Sequence, residues 1–191
     1  MTTLELYKTS ERAYKNPDIA YDNFFVYGAF AENEDELALC FAPTSTRFWD
    51  WVINFLSTPF RGYHRGYKIS ALSVLYSTFK AVKKKDPKRL ILAGYSKGGG
   101  IAQVLSDLLF KLWRNNPPFE IELVTFGSPK AVSIFKCVHG DSPLRSSVHY
   151  RTRGDVVTVL PPILYRFYGE VKTVGELSLP WKAHISYQDY L

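Results

Sequence analysis

A serine attacks a carbonyl at neutral pH only when a base takes its proton and an acid holds that base in place. One stretch of this chain suits such a serine, Gly94-Tyr95-Ser96-Lys97-Gly98. Before it, Arg89 to Ala93 is a short apolar run bounded by Pro87, the pattern of a buried strand. After it, Ile101, Val104, Leu105, Leu108, Leu109 and Leu112 recur at the spacing of one helix face. Glycines two residues before and two after the serine let strand and helix pass closely, so Gly94 and Gly98 suit a tight turn with the hydroxyl at its tip. The helix that follows begins with N–H groups lacking intrahelical acceptors. An oxyanion beside Ser96 would be held by the Lys97 N–H and the positive helix end. A plain glycine-rich connection and a phosphate-binding loop compete with this reading. The phosphate loop needs Gly-Lys directly before Ser or Thr, whereas Lys97 follows Ser96, so strand and helix context favour the nucleophile turn.

The base and its acid must come from elsewhere. Of the four histidines, His64 precedes a helix, His139 sits in a turn, His149 lies within a strand and His184 follows the last strand. The chain order Ser, acid, His is the one α/β-hydrolases use, and Ser96, Asp155, His184 fits it with Asp155 at a strand's carboxyl end. Asp141 also fits by order, but in a turn away from a strand end. A second oxyanion donor would need a backbone N–H beside a hydroxyl, which Thr44 offers after Phe41-Ala42-Pro43. On that segment alone, Thr44 is equally well a turn residue after proline.

These groups need a frame. With 191 residues and 46% hydrophobic content, the chain supports one buried core, so residues 1–191 are expected to form a single domain. A helix over 4–16, strands over 24–30 and 37–41 joined by an acidic hairpin turn, and strands at 120–126, 147–151 and 167–174 alternate with helices. The fold class is α/β: a central, mostly parallel sheet flanked by helices, with the nucleophile elbow at 94–98. In the helix before the elbow, Leu72, Leu75, Tyr76 and Phe79 are expected to form the buried stripe, and a helical piece is expected between Pro129 and His139. The net charge of +6 raises nucleic acid or a membrane surface as partners. Its densest cluster, Lys83-Lys84-Lys85 with Lys88 and Arg89, reads as a solvated helix end, so nucleic acid is not expected and contact with an anionic lipid surface is left open. Cys40 and Cys137 have no metal-ligand spacing, and Cys40 reads as a small core hydrophobe. The first residues lack a signal-peptide core and no stretch reaches membrane-spanning length, which sets cytoplasmic residence as the expectation.

Taken together, the motifs from Leu37 to Tyr187 resemble the class 3 (fungal-type) lipases. The family's Phe-Arg-Gly-Ser/Thr strand end followed by Asp-Trp is similar to Phe41-Ala42-Pro43-Thr44 with Asp50-Trp51. Its His-x-Gly-Phe element resembles His64-Arg65-Gly66-Tyr67, and its Gly-His-Ser-Leu-Gly-Gly-Ala elbow resembles Gly94 to Gly100. Phe126-Gly127-Ser128-Pro129, Asp155-Val156-Val157, Leu160-Pro161-Pro162 and the final His184 with Tyr187 complete the match in order. Ala42-Pro43 replaces Arg-Gly, and Tyr95 and Lys97 replace His and Leu. The resemblance implies a single α/β-hydrolase domain that cleaves carboxylic esters, of lipids in the family's manner, with Ser96, His184 and Asp155 as triad and Thr44 and Lys97 as oxyanion donors. No metal or organic cofactor is implied. A catalytically silent hydrolase fold used for binding, and an acyltransferase or thioesterase on the same triad, are the rival readings.

Phe48, Trp49, Trp51 and Phe55, with Ile163 and Leu164 after the acid, are expected to wall an apolar groove beside Ser96. Each buried methylene of an acyl chain contributes about 0.8 kcal/mol, close to fourfold in binding. In a p-nitrophenyl ester series from acetate to palmitate, kcat/KM should therefore rise with chain length and level off. Residues 45–63 leave little room for a lid helix, so no jump is expected when substrate aggregates. A sharp increase only above aggregation would show that this stretch contains a lid.

Overall fold

The computed structural model describes residues 1–21, 26–43, 59–113, 116–135 and 144–191. Helix α1 (Thr3–Lys15) leads into strands β1 (Ile19–Tyr21), β2 (Val26–Glu32) and β3 (Glu36–Phe41), then β4 (Pro59–Phe60) and β5 (Tyr63–His64). Helix α2 (Arg65–Lys85), strand β6 (Arg89–Tyr95), helix α3 (Lys97–Leu112), β7 (Glu120–Phe126), β8 (Val132–Ser133) and β9 (Leu144–Thr152) follow. A 3-10 turn (Val156–Val159), β10 (Tyr165–Arg166), β11 (Glu170–Val174), helix α4 (Pro180–Ile185) and a second 3-10 turn (Tyr187–Tyr190) complete the order.

Seven strands form the main sheet in the order β1-β2-β3-β6-β7-β9-β11. The β1-β2 and β2-β3 pairs are antiparallel, and every pair from β3 to β11 is parallel. The interior strands β3 and β6 are apolar and buried almost throughout, as a parallel sheet covered on both faces requires. Alternation along them separates the two faces. Ala38, Cys40, Ile91 and Ala93 pack with Leu6 and Tyr7 of α1, while Leu37, Leu39, Phe41, Leu90 and Leu92 pack against α2 and α3. Cys40 is fully buried, and burial pushes its thiol up to about 12, the behaviour of a small hydrophobe. A capping box at Thr2 and Glu5 starts α1. A smaller sheet, β10-β8-β5-β4, ties the chain before α2 to the segments after β7 and before β11.

Two expectations need correcting. The buried face of α2 consists of Tyr67, Ser70, Ala71, Val74, Thr78 and Val82, while Leu72 is 48% and Tyr76 67% exposed. The reason is close packing: Tyr67 lies against Gly100 in the first turn of α3, and small residues behind it let the two helices approach. Of the expected stripe, Leu75 packs against the core and Phe79 against the Trp113 ring at 5.1 Å, while Leu72 and Tyr76 are left on the outside. After Pro129 the chain forms β8 instead of helix, because Val132 and Ser133 pair with Tyr63 and Tyr165. His139, Asp141 and Cys137 lie outside the described residues.

His149 clamps the far side of the sheet. Its Nε2–H donates to the Tyr168 carbonyl at 2.9 Å, which fixes the tautomer, so Nδ1 accepts from the Thr125 hydroxyl at 2.7 Å. Burial lowers its pKa to about 4. The unfolded histidine, near 6.5, therefore takes up a proton first as pH falls. Stability is complete above that value and is lost as pH falls through it toward 4, at up to about 1.4 kcal/mol per pH unit. His64, lowered to about 4 by burial, acts in the same direction. Urea unfolding measured at descending pH should show this slope, and His149→Gln should flatten it. An unchanged slope in the variant would assign the dependence to other groups.

Candidate active site

The turn between β6 and α3 is built on a close crossing. A Cβ on Gly94 would run into the Gly98 carbonyl, and one on Gly98 would run into the carbonyl oxygens of Phe41 and Ala42 at the end of β3. Within this crossing Ser96 adopts φ 52° and ψ −121°, a backbone region that costs a non-glycine residue about 1–3 kcal/mol. Its N–H donates to the Phe126 carbonyl at 2.8 Å and its own carbonyl accepts from Gly99 N–H at 3.0 Å, so both neighbours hold the strained residue. Lys97 is the first residue of α3, with no acceptor for its N–H inside the helix.

Asp155 follows β9 and caps the first 3-10 turn, where its Oδ1 accepts from the Val157 N–H at 2.9 Å. His184, on the short helix α4, lies between it and the serine. Nδ1 of His184 is 2.9 Å from Asp155 Oδ2, and Nε2 is 3.0 Å from Ser96 Oγ. An ionised carboxylate only accepts, so Nδ1 carries the proton and Nε2 is left to accept from the Ser96 hydroxyl. All three side chains are buried, Ser96 at 8%, Asp155 at 3% and His184 at 7% exposure. The structure thus brings together the three residues that chain order selected, in the geometry by which a base draws a proton from a hydroxyl.

Three hydroxyls hold this arrangement. Tyr187 donates to Asp155 Oδ2 at 2.7 Å and accepts from the Thr152 N–H at 3.0 Å. Burial and the Asp155 charge raise its pKa above the usual phenol range, which keeps it a donor. Tyr95, the residue before the serine, donates to the His184 carbonyl at 2.6 Å. Thr152 Oγ1 donates to the Ala183 carbonyl. None of these three was assigned a role from sequence, because only the folded chain brings their hydroxyls to α4. Gly127, at φ 53°, lets β7 turn directly beneath the site: a Cβ there would press on Tyr187, Asp155 and His184.

The other expected site residues are placed as follows. Thr44, Phe48, Trp49, Trp51 and Phe55 lie outside the described residues. Ile163, 72% exposed, and Leu164 occupy the turn before β10, with the Leu164 carbonyl accepting from Ile134 N–H at 2.9 Å. His64 is buried between the rings of Tyr67 and Tyr165 at 4.5 and 5.6 Å, a structural position at the start of α2. Among the described residues no group of three or more His, Cys, Asp or Glu side chains is placed to hold a metal ion.

Comparison with known proteins follows the same line. The family model Lipase (class 3) matches residues 45–165. The native lipase–propeptide complex of Rhizomucor miehei superposes with a TM-score of 0.72 at 16% identity, covering 92% of this chain and 70% of that one. A lipase from Rhizopus microsporus var. chinensis gives 0.72 at 16% identity, over 94% and 78%. A triacylglycerol lipase whose catalytic centre is formed by a serine protease triad gives 0.71 at 16% identity, over 92% and 82%. At these identities the likeness is one of fold, and the central mostly parallel sheet flanked by helices is that of the α/β-hydrolase fold of these lipases. No curated protein sequence matches the chain.

Removing the Tyr187 hydroxyl tests the support around Asp155. Tyr187→Phe keeps the ring but leaves the buried Thr152 N–H unpaired and Asp155 one donor short. Unfolding in urea should show a loss of about 1–3 kcal/mol. A loss within experimental error would mean that the hydroxyl does not hold the carboxylate.

Proposed function

The chain belongs to the lipase (class 3) family, and from that membership we propose that it is a serine carboxylester hydrolase acting on lipid or other acyl esters through a covalent acyl-enzyme. The observation that carries the proposal is the position of His184, bonded to Ser96 on one ring nitrogen and to Asp155 on the other. On this reading Ser96 Oγ attacks the ester carbonyl as its proton passes to His184 Nε2. The imidazolium returns that proton to the leaving alkoxide, which departs as the alcohol. Water, deprotonated by the same nitrogen, then attacks the acyl-enzyme and releases the acid. Asp155 keeps the ring in the required tautomer and stabilises its cation. The Lys97 N–H, at the positive end of α3, holds the oxyanion, and Thr44 supplies the second donor. Phe48, Trp49, Trp51 and Phe55, with Ile163 and Leu164, receive the acyl chain. The chemistry is assigned to one domain acting in the cytoplasm without a cofactor.

A fluorophosphonate probe should label Ser96 and leave Ser96→Ala unlabelled. With a soluble p-nitrophenyl ester, Ser96→Ala and His184→Ala should each lose several orders of magnitude in kcat, and the double variant should be little worse than either, since the residues act as a unit. Asp155→Asn should retain the fold and lose about 10³–10⁴-fold. An unlabelled, inactive protein that is fully folded would point to a silent hydrolase fold used for binding. Ester products formed preferentially with added alcohols would point to acyl transfer.

A further inference from the structure

The outer face of α2 is left unexplained by the catalytic reading. The helix carries Arg65, Lys68, Lys80, Lys83, Lys84 and Lys85 and no carboxylate, so its charge of six equals the net charge of the whole chain. Lys85 has an ion pair, a long one of 3.8 Å to Glu32. Among the described residues, Lys80, Lys83 and Lys84 have none. Between the cations, on the same face by three- and four-residue spacing, lie the exposed side chains of Ile69, Leu72 and Tyr76. The Lys80 ammonium rests 5.3 Å from the Tyr76 ring centre. At the start of the helix, Lys68 sits 4.9 Å from the ring of Phe60, itself half exposed. At 21 residues, the helix presents a convex stripe roughly 30 Å long.

We propose that this face docks the protein on an anionic lipid surface. The side chains decide between that partner and an acidic protein. Five of the six cations are lysines, point charges on flexible stems that suit a diffuse layer of phosphates. Recognition of discrete carboxylates is better served by arginine forks. Apolar side chains along the midline with lysines on their flanks match a helix lying in the headgroup layer, the aliphatic and aromatic groups seated and the ammonium groups reaching outward. The start of α2 packs on the first turn of α3 through Tyr67 and Gly100, and its end lies by the β2-β3 hairpin through Lys85 and Glu32. The face therefore runs along α2 from the end that packs near the Ser96 turn to the end by β2 and β3. The inference stands on charge and exposure and does not require the hydrolase reading.

Co-sedimentation with vesicles of phosphatidylcholine alone, and of phosphatidylcholine mixed with phosphatidylglycerol, tests it. The full chain should bind the mixed vesicles only, and binding should weaken as salt shortens the screening length. The triple variant Lys80→Gln, Lys83→Gln, Lys84→Gln should bind about a hundredfold more weakly, roughly fivefold per lysine. Leu72→Ser with Tyr76→Ser should also weaken binding while leaving its salt dependence in place. Turnover of a soluble ester should be unchanged in both variants, which separates this proposal from the catalytic one and reports an intact fold. Equal binding to neutral vesicles, or full binding by the triple variant, would overturn the proposal. Failure to bind vesicles together with capture of polyglutamate would replace the lipid surface by an acidic protein.

Discussion

The approach of strand β6 to helix α3 is the contact on which the site depends. With hydrogen in place of a side chain at Gly94 and Gly98, the helix starts almost on top of the strand and against the end of β3. Three consequences follow from one crossing. Ser96 is forced to a positive φ, its hydroxyl stands at the edge of the sheet, and the first N–H groups of α3 face the same edge. The energy stored in that residue is a few kcal/mol at most. Burial of Ile101, Val104, Leu105 and Leu109 against β3 and β6 is worth roughly 1.5–3 kcal/mol per side chain and outweighs it.

A buried carboxylate poses the opposite problem, since it loses water and must recover hydrogen bonds from the protein. Asp155 recovers three: from the Val157 N–H, the Tyr187 hydroxyl and the His184 ring. The same tyrosine also satisfies the last amide of β9, so one phenol ties the end of that strand to Asp155. On the other side, Tyr95 links its neighbour's partner to the sheet. The residue adjacent to Ser96 in sequence fixes the backbone of His184. Helix α4 has only six residues and too few internal bonds to orient anything by itself. Its orientation is borrowed from Thr152, Tyr95 and Tyr187.

Much of this was legible before the structure. The strand-turn-helix context around Ser96 depends on local periodicity, and the placement of Asp155 and His184 depends on order along the chain. Both are properties a sequence displays directly. The face of α2 was not, because Tyr67 meets Gly100 of α3 across it and the small buried residues Ser70, Ala71 and Thr78 carry no hydrophobic signal. The stretch after Pro129 carries no local strand signal for a related reason: Val132 and Ser133 are strand by virtue of partners far away in sequence, at Tyr63 and Tyr165. Tyr187 was visible as part of a family pattern, yet its work on Asp155 shows only in distances. Thr44, the expected oxyanion donor, and the expected groove residues Phe48, Trp49, Trp51 and Phe55 lie outside the described residues.

The spacing of the three reactive groups along the chain also sets the order in which they come into being. Ser96 and His184 are 88 residues apart. At a translation rate of about 5–20 residues per second, the Ser96 turn leaves the ribosome several seconds before His184. Through that interval the nascent protein carries an unactivated hydroxyl on a forming sheet, without α4 or Tyr187 to complete the site. On the proposed reading, reactivity waits for chains synthesised as far as Tyr187, which follows α4 and completes the support of Asp155.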